Sequence, residues 1–357
     1  MSSKATKLDY SGINIYTGID THLKDWRITL MTDNLTLNTL SVDPNAKAVA
    51  KYLRKHFPNG NYYSAYEAGF CGYTPHRALI KEGIQNIIVN PADIPTTDKE
   101  RKQKEDSRDS RKIARSLKNG ELVPIYVPSR AIEELRNFIR HRKTLVKDIN
   151  RNKSRIKSFL YLSGTPIPPE LGTDSRYWSS NFSKWLESIR LTTDFGHKII
   201  PNTLGVVNQL RLTLLAVNRD LRQIAKREEF AESVKLLISI PGIGLTSALT
   251  ILSELVTISR FKNLDKLCSF VGLVPTTNSS SEQERVGNIT PRSNKILRSI
   301  LIESAWIAIR HDPGLGLAYA RLCARMKANK AIIRIAKKLL SRIRFVLKNQ
   351  IEYQYAN

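Results

Sequence analysis

The chain has 357 residues, 41% hydrophobic and 25% charged, a balance that argues against wholesale disorder. Lys and Arg total 57 against 32 Asp and Glu, a formal net charge of +25, so a polyanionic partner is expected and nucleic acid is the first candidate. No apolar run of transmembrane length and no secretory h-region stand in the sequence, and Cys71, Cys268 and Cys323 are too scattered for a disulfide framework or a zinc site; each reads as a small buried residue in a reducing, cytoplasmic chain.

In chain order, residues 11–125 read as mixed α/β. Ile13 to Ile19 and Trp26 to Leu30 predict two strands around a short turn, and Gln85 to Asn90 a third. Ala46 to Phe57 predicts a helix stopped by Pro58 and Gly60. Asp93 to Glu105 is polar and loop-like, and helix resumes through Lys112 to Leu117. Arg130 to about Leu162 is helical in spacing and carries ten Lys/Arg against three Asp/Glu. After the Pro/Gly-rich stretch 164–173, a second long helix is expected from about Leu204 to Lys235. The two helices suit an antiparallel arm or a dimerising coiled coil, or else a cover for the first domain. Residues 236–350 read as a helical block whose last helix is basic, with no acid between Asp312 and Glu352. Boundaries are set at 1–127, 128–234 and 235–357.

Four acids stand out by context. Asp20 ends an apolar strand, Glu67 lies among small and aromatic residues, and Asp106 and Asp109 sit three apart at a helix start, on one side of its first turn. Two carboxylates on one face repel unless a cation lies between them, and magnesium would supply it. Two-metal phosphodiester chemistry needs three or four carboxylates from separate segments. Singly, each acid also reads as a turn residue, an ion-pair partner or a helix cap.

Ile240-Pro241-Gly242-Ile243-Gly244 between two apolar helical runs has the pattern of a helix-hairpin-helix, whose glycines let backbone approach a phosphate; a plain αα turn is the alternative. Residues 276–285 read as a flexible polar loop containing Ser279, Ser280 and Ser281. Arg285, Arg292, Lys295 and Arg298 surround it as candidate phosphate ligands, with Lys337 and Lys338 on the last helix. Either Asn294 or Thr290 with Pro291 is positioned to start the following helix.

Taken together, Gly18-Ile19-Asp20, Tyr66-Glu67-Ala68-Gly69, Asp106-Ser107-Arg108-Asp109, Pro241-Gly242-Ile243-Gly244, Gly272-Leu273-Val274-Pro275 and Ser279-Ser280 resemble, in order, the motifs of the DEDD transposases of the insertion sequence 110 family, relatives of the Piv-type DNA invertases. The resemblance implies a RuvC-like, RNase H-type N-terminal fold, a helical arm and a helical C-terminal transposase domain. It implies that Asp20, Glu67, Asp106 and Asp109 hold Mg2+, with Mn2+ as a substitute, and that Ser280, or its neighbour Ser279, attacks the DNA phosphate. It also implies dimers or tetramers on DNA and, in some members, a guide RNA from the element itself. A junction-resolving nuclease without a covalent serine step, a site-specific invertase and a non-enzymatic nucleic-acid-binding protein are the competing readings.

Overall fold

A computed structural model describes residues 9–95, 106–172, 177–280 and 283–355, with backbone alone for 106–107, 277–280 and 283–288. The chain divides into two units, Met1–Val127 and Pro128–Asn357. No helix among the described residues is long and apolar enough to cross a membrane.

The first unit is built on a five-stranded sheet: β1 (Asn14–Thr21), β2 (Trp26–Met31), β3 (Thr36–Val42), β4 (Asn61–Glu67) and β5 (Gln85–Val89), in the order β3-β2-β1-β4-β5. β1, β2 and β3 form an antiparallel meander, while β4 and β5 run parallel to β1. Strand alternation sends Ile15, Ile19, Ile28, Leu30, Tyr66 and Ile88 to one face, where α1 (Ala46–His56) contributes Val49 and Leu53 and α2 (Thr74–Lys81) contributes Leu79. On the opposite face α3 (Asp106–Lys118) sets Ile113 against Ala65 and Val89. The predicted strands 1, 2 and 5 and helix 46–57 are present. β3 and β4 escape the pattern: β3 is an edge strand with no buried residue, and β4 buries Ser64, Ala65 and Tyr66, a mixture without apolar alternation.

α3 lies unusually close to the sheet because β1 carries Gly18. A Cβ there would stand 2.1 Å from the Ser110 carbonyl oxygen and 2.3 Å from the Ala114 nitrogen. The buried Ser110 hydroxyl bonds Thr29 Oγ1 at 2.9 Å, fixing the helix along and across the sheet.

The second unit begins with α4 (Arg130–Leu162) and contains α5 (Ser180–Ser188) and α6 (Asp194–Ile224). Leu135 and Ile139 of α4 share a core with Val217 and Leu221 of α6, whereas Ile156 and Leu160 share one with Ile200 and Leu204, so the two long helices run antiparallel. α6 starts ten residues before the expected Leu204 and takes Pro201 inside it; the chain then breaks, and α7 (Glu228–Ile238) is a separate helix. Next come α8 (Leu245–Leu255), α9 (Leu264–Val271), the hairpin β6 (Pro275–Ser280)–β7 (Gln283–Ile289), α10 (Lys295–His311), α11 (Pro313–Cys323) and α12 (Ala328–Asn349). Of the cysteines Cys268 is buried, Cys71 half-buried and Cys323, contrary to expectation, exposed.

Two buried acids tie these helices together. Glu254 on α8, 3% exposed, holds Arg140 of α4 at 2.8 Å and accepts from Asn294 Nδ2 at 2.9 Å. Asp312, also 3% exposed, caps α11 through the Leu315 N–H at 2.8 Å and accepts from Arg342 of α12 and, at 2.6 Å, from the Tyr353 hydroxyl. Burial would raise the Asp312 carboxyl, but Tyr353, the Leu315 N–H and Arg342 outweigh it and hold the carboxyl below its ordinary value of 3.8. Burial and the bond to Asp312 push the Tyr353 phenol up to about 12.

Two outcomes follow from this packing. Gly18→Ala forces α3 off the sheet and should cost roughly 1–3 kcal/mol, read as a lowered thermal midpoint. Because the Asp312 pKa is depressed in the fold, its contribution is fully present above pH 3.8 and is lost as pH falls through the lower folded value. Asp312→Asn leaves Arg342 without its charge partner, so urea unfolding at neutral pH should show a loss of about 3 kcal/mol, and the wild-type advantage should shrink in acid.

Candidate functional site

Three of the four acids singled out by sequence have described side chains, and all three lie on the α3 side of the first unit. In the β1–β4 ladder Gly18 stands opposite Ala65 and Ile19 opposite Tyr66. The next step along this parallel pair brings Asp20 beside Glu67, on strands that neighbour at about 4.8 Å and on the face that Gly18 and Ala65 present to α3. Glu67 is therefore the last residue of a strand, where the sequence suggested no regular element.

Asp109 arrives from the helix. It immediately precedes Ser110, whose carbonyl rests on Gly18 and whose hydroxyl is bound to Thr29, so the close approach that forbids a Cβ at 18 also fixes where Asp109 stands. The ammonium of Lys112 lies 3.3 Å from Asp109 Oδ1 and 3.8 Å from Glu67 Oε1, with its side chain only 12% exposed. Asp20 accepts from His22 Nε2 at 3.1 Å. Lys112 and His22 were not picked out by sequence reasoning; the spacing Asp109-x-x-Lys112 on one helix face is the one signal that could have found the lysine. Asp106 is the first residue of α3, and its side chain lies outside the described residues. Among the described residues no three His, Cys, Asp or Glu side chains gather closely enough to hold a metal ion.

Two carboxylates from different elements share one little-exposed ammonium and form a pair of hard oxygen donors. That donor chemistry fits a magnesium or manganese ion at the position Lys112 now neutralises. Beside the acids, His22, Leu23, Lys24 and Phe70 line an open cavity of about 450 Å3.

In the second unit the polar stretch after Pro275 is a two-stranded antiparallel hairpin, a correction to the flexible loop read from its composition. Ser279 pairs with Glu284 and Ser280 with Gln283, so Ser280 is the last residue of β6 before the tip. The base of the hairpin is held firmly. Thr290 N–H donates to the Val274 carbonyl at 3.0 Å, and Asn294 caps α10 through the Leu297 N–H while its own N–H reaches the Phe270 carbonyl. Arg298, expected to contact phosphate, directs its guanidinium to the Thr290 carbonyl at 2.7 Å and so braces the hairpin. Arg292 and Lys295 are exposed, and the Arg285 side chain lies outside the described residues. On α12 Lys338 is exposed, and Lys337 reaches Asp265 at 3.4 Å.

The turn joining α7 to α8 divides its glycines. Gly242 has φ +87°, and a Cβ on it would meet the Ser304 carbonyl at 2.3 Å, so it abuts the backbone of α10. Pro241 is half-buried, Ile243 buried, and Gly244 open on its Cβ side at the start of α8. The side-chain face of Gly242 is therefore closed by α10.

Comparison with known proteins gives two family matches in chain order. A model described as "Transposase", of the DEDD type of IS110, matches residues 17–163, and one described as "Transposase IS116/IS110/IS902 family" matches residues 234–320. The transposase for insertion sequence element IS1533 of Leptospira borgpetersenii is 25% identical over 339 residues, 91% of this chain and 95% of its own length. The putative transposase y4rJ of Sinorhizobium fredii (strain NBRC 101917 / NGR234) is 28% identical over 366 residues, 91% of this chain and 90% of its own. The putative transposase y4qE of the same organism is 28% identical over 254 residues, 71% of this chain but 60% of its own. With one model on the stretch that carries the acids, another on the stretch that carries the serine hairpin, and relatives aligned over nine-tenths of their length, the chain belongs to the IS116/IS110/IS902 family of transposases.

Proposed function

We propose that the chain cuts and rejoins DNA strands with Asp20, Glu67, Asp106 and Asp109 as a cation-binding acid cluster and Ser280 as nucleophile. The observation that carries the reading is the meeting of Glu67, from a strand end, and Asp109, from a helix later in the first unit, at one shared positive charge. Acids drawn from separate segments to one place are what two-metal phosphodiester chemistry uses. The five-stranded mixed sheet with helices on both faces is compatible with a RuvC-like, RNase H-type catalytic domain. The acids would hold Mg2+, or Mn2+ in its place, and the ion would supply charge neutralisation of the phosphate and a lowered barrier to losing the nucleophile's proton.

The chain's own part is positional. Gly18, Ser110 and Thr29 hold α3 so that Asp109 meets Glu67, and Lys112 bridges the two acids where a cation would be held. Ser280 Oγ loses its proton and bonds to phosphorus; the phosphorus–O3′ bond breaks and the leaving 3′ oxygen takes up a proton. Attack by another 3′ hydroxyl on the phosphoserine reverses these bonds and rejoins the strand with no external energy source. The firm base of the hairpin, anchored by Arg298 and by the Asn294–Glu254 bond, suits a nucleophile presented at its tip. The long helices α4 and α6 make an arm through which two or four copies assemble, so that one copy's acids serve another's serine. The basic faces of α4 and α12, with the α7–α8 helix-hairpin-helix, grip DNA and, where the element encodes one, a structured RNA.

With an element-end DNA substrate and Mg2+, wild type should form a protein–DNA adduct that survives denaturing electrophoresis. Ser280→Ala should lose the adduct, and recombination should fall by roughly three orders of magnitude or more. Asp20→Ala and Asp109→Ala should lose cleavage while retaining DNA affinity. An adduct in Ser280→Ala, or cleavage without one in wild type, would exclude the serine as nucleophile, the second result turning the reading to a hydrolytic nuclease.

A further inference from the structure

Where α6 ends, α7 begins and α8 takes its first residue, the second unit has a cavity of about 520 Å3. Its rim carries Arg219, Arg222, Lys226 and Lys235, and its floor is apolar, with Val234 and Leu245 among the lining residues. The four cations come from two helices and the link between them. Although Asp220, Glu228, Glu229 and Glu232 are close in sequence, none of them lines the cavity. Lys235 is held at 2.7 Å by Glu352 from the segment after α12.

We infer that this cavity is a binding site for the phosphodiester backbone of duplex DNA, beside the α7–α8 turn. In that turn the side-chain face of Gly242 is closed by α10. The rim next to it offers the complementary chemistry. Two guanidiniums can each fork onto phosphate oxygens, two ammoniums add point charge, and the apolar floor accepts the deoxyribose face. Phosphate contacts of this kind hold register and orientation without reading sequence. A strand seated here competes with Glu352 for Lys235, so the tail carboxylate acts as a weak intramolecular stand-in for the backbone. The inference needs DNA as the partner but not the acid and serine chemistry proposed above.

The test uses the full chain, a fluorescent duplex of arbitrary sequence and a parallel RNA hairpin, with affinity measured by anisotropy across a salt series without divalent metal. Arg219→Gln/Arg222→Gln/Lys226→Gln should weaken duplex binding about tenfold or more and flatten the log Kd against log salt slope by about 2–3, near 0.9 for each contact removed. The control Lys47→Gln/Lys51→Gln/Lys55→Gln, on the exposed side of α1 and equal in charge change, should leave the slope within experimental error. Glu352→Gln should tighten duplex binding by about twofold to fivefold, as expected for removing an exposed ion pair. Equal flattening by both triple variants would mean that only net charge matters and would overturn the inference. So would an unchanged slope in the cavity variant, weaker binding in Glu352→Gln, or a loss confined to the RNA probe. Thermal melts of each variant separate these outcomes from misfolding. Loss of adduct formation in Ser280→Ala leaves this measurement untouched, so the two readings fail independently.

Discussion

In the first unit two acids from separate parts of the chain converge on one ammonium. Glu67 ends a parallel strand, and Asp109 sits on a helix laid across it. They come together because Gly18 has no side chain to hold α3 away and because Ser110 locks onto Thr29. The arrangement would be self-repelling if Lys112 did not stand between the two carboxylates with little exposure to water. A lysine is a flexible tenant of such a position, because its ammonium can swing away on a long stem and leave two hard oxygen donors in place.

The second unit solves a different problem: how to hold a short polar hairpin steady in a helical block of high positive charge. It does so with buried carboxylates. Glu254 connects the long basic helix α4 to the cap of α10, immediately after β7. Asp312 connects the end of α10 to α12 and to the chain's tail through Tyr353. Removing either acid would leave a guanidinium without its charge partner, so in this basic unit the rare acids carry much of the architecture. The same economy of acids leaves the cavity at the end of α6 rimmed by cations alone.

Much of this was legible in the sequence where local pattern and tertiary role agree. The apolar alternation around Ile15 to Ile19 and Trp26 to Leu30, the stop at Pro58, and the paired aspartates at a helix start are local signals. β3 and β4 were not, because an edge strand needs no buried stripe and β4 reaches its place through Ser64, Ala65 and Tyr66. Residues 276–285 read as loop by composition, since nothing in a run of Thr, Asn and Ser announces the ladder partner that Gln283 to Ile289 supplies. Charge alone assigns Arg298 to phosphate, whereas its neighbour in space, the Thr290 carbonyl, takes its guanidinium. Lys112 and Glu254 owe their importance to partners 45 and 114 positions away, as the pairs Glu67–Lys112 and Arg140–Glu254 show. No periodicity encodes such pairings.

The most direct test of the acid cluster is Mn2+ binding to the full-length protein, followed by electron paramagnetic resonance in the absence of DNA. The account predicts a saturable site in wild type that weakens by at least an order of magnitude in Glu67→Gln and in Asp109→Asn, and that tightens in Lys112→Met, where the resident ammonium no longer competes. Binding that is unaffected by either acid substitution, or that weakens when Lys112 is removed, would contradict it.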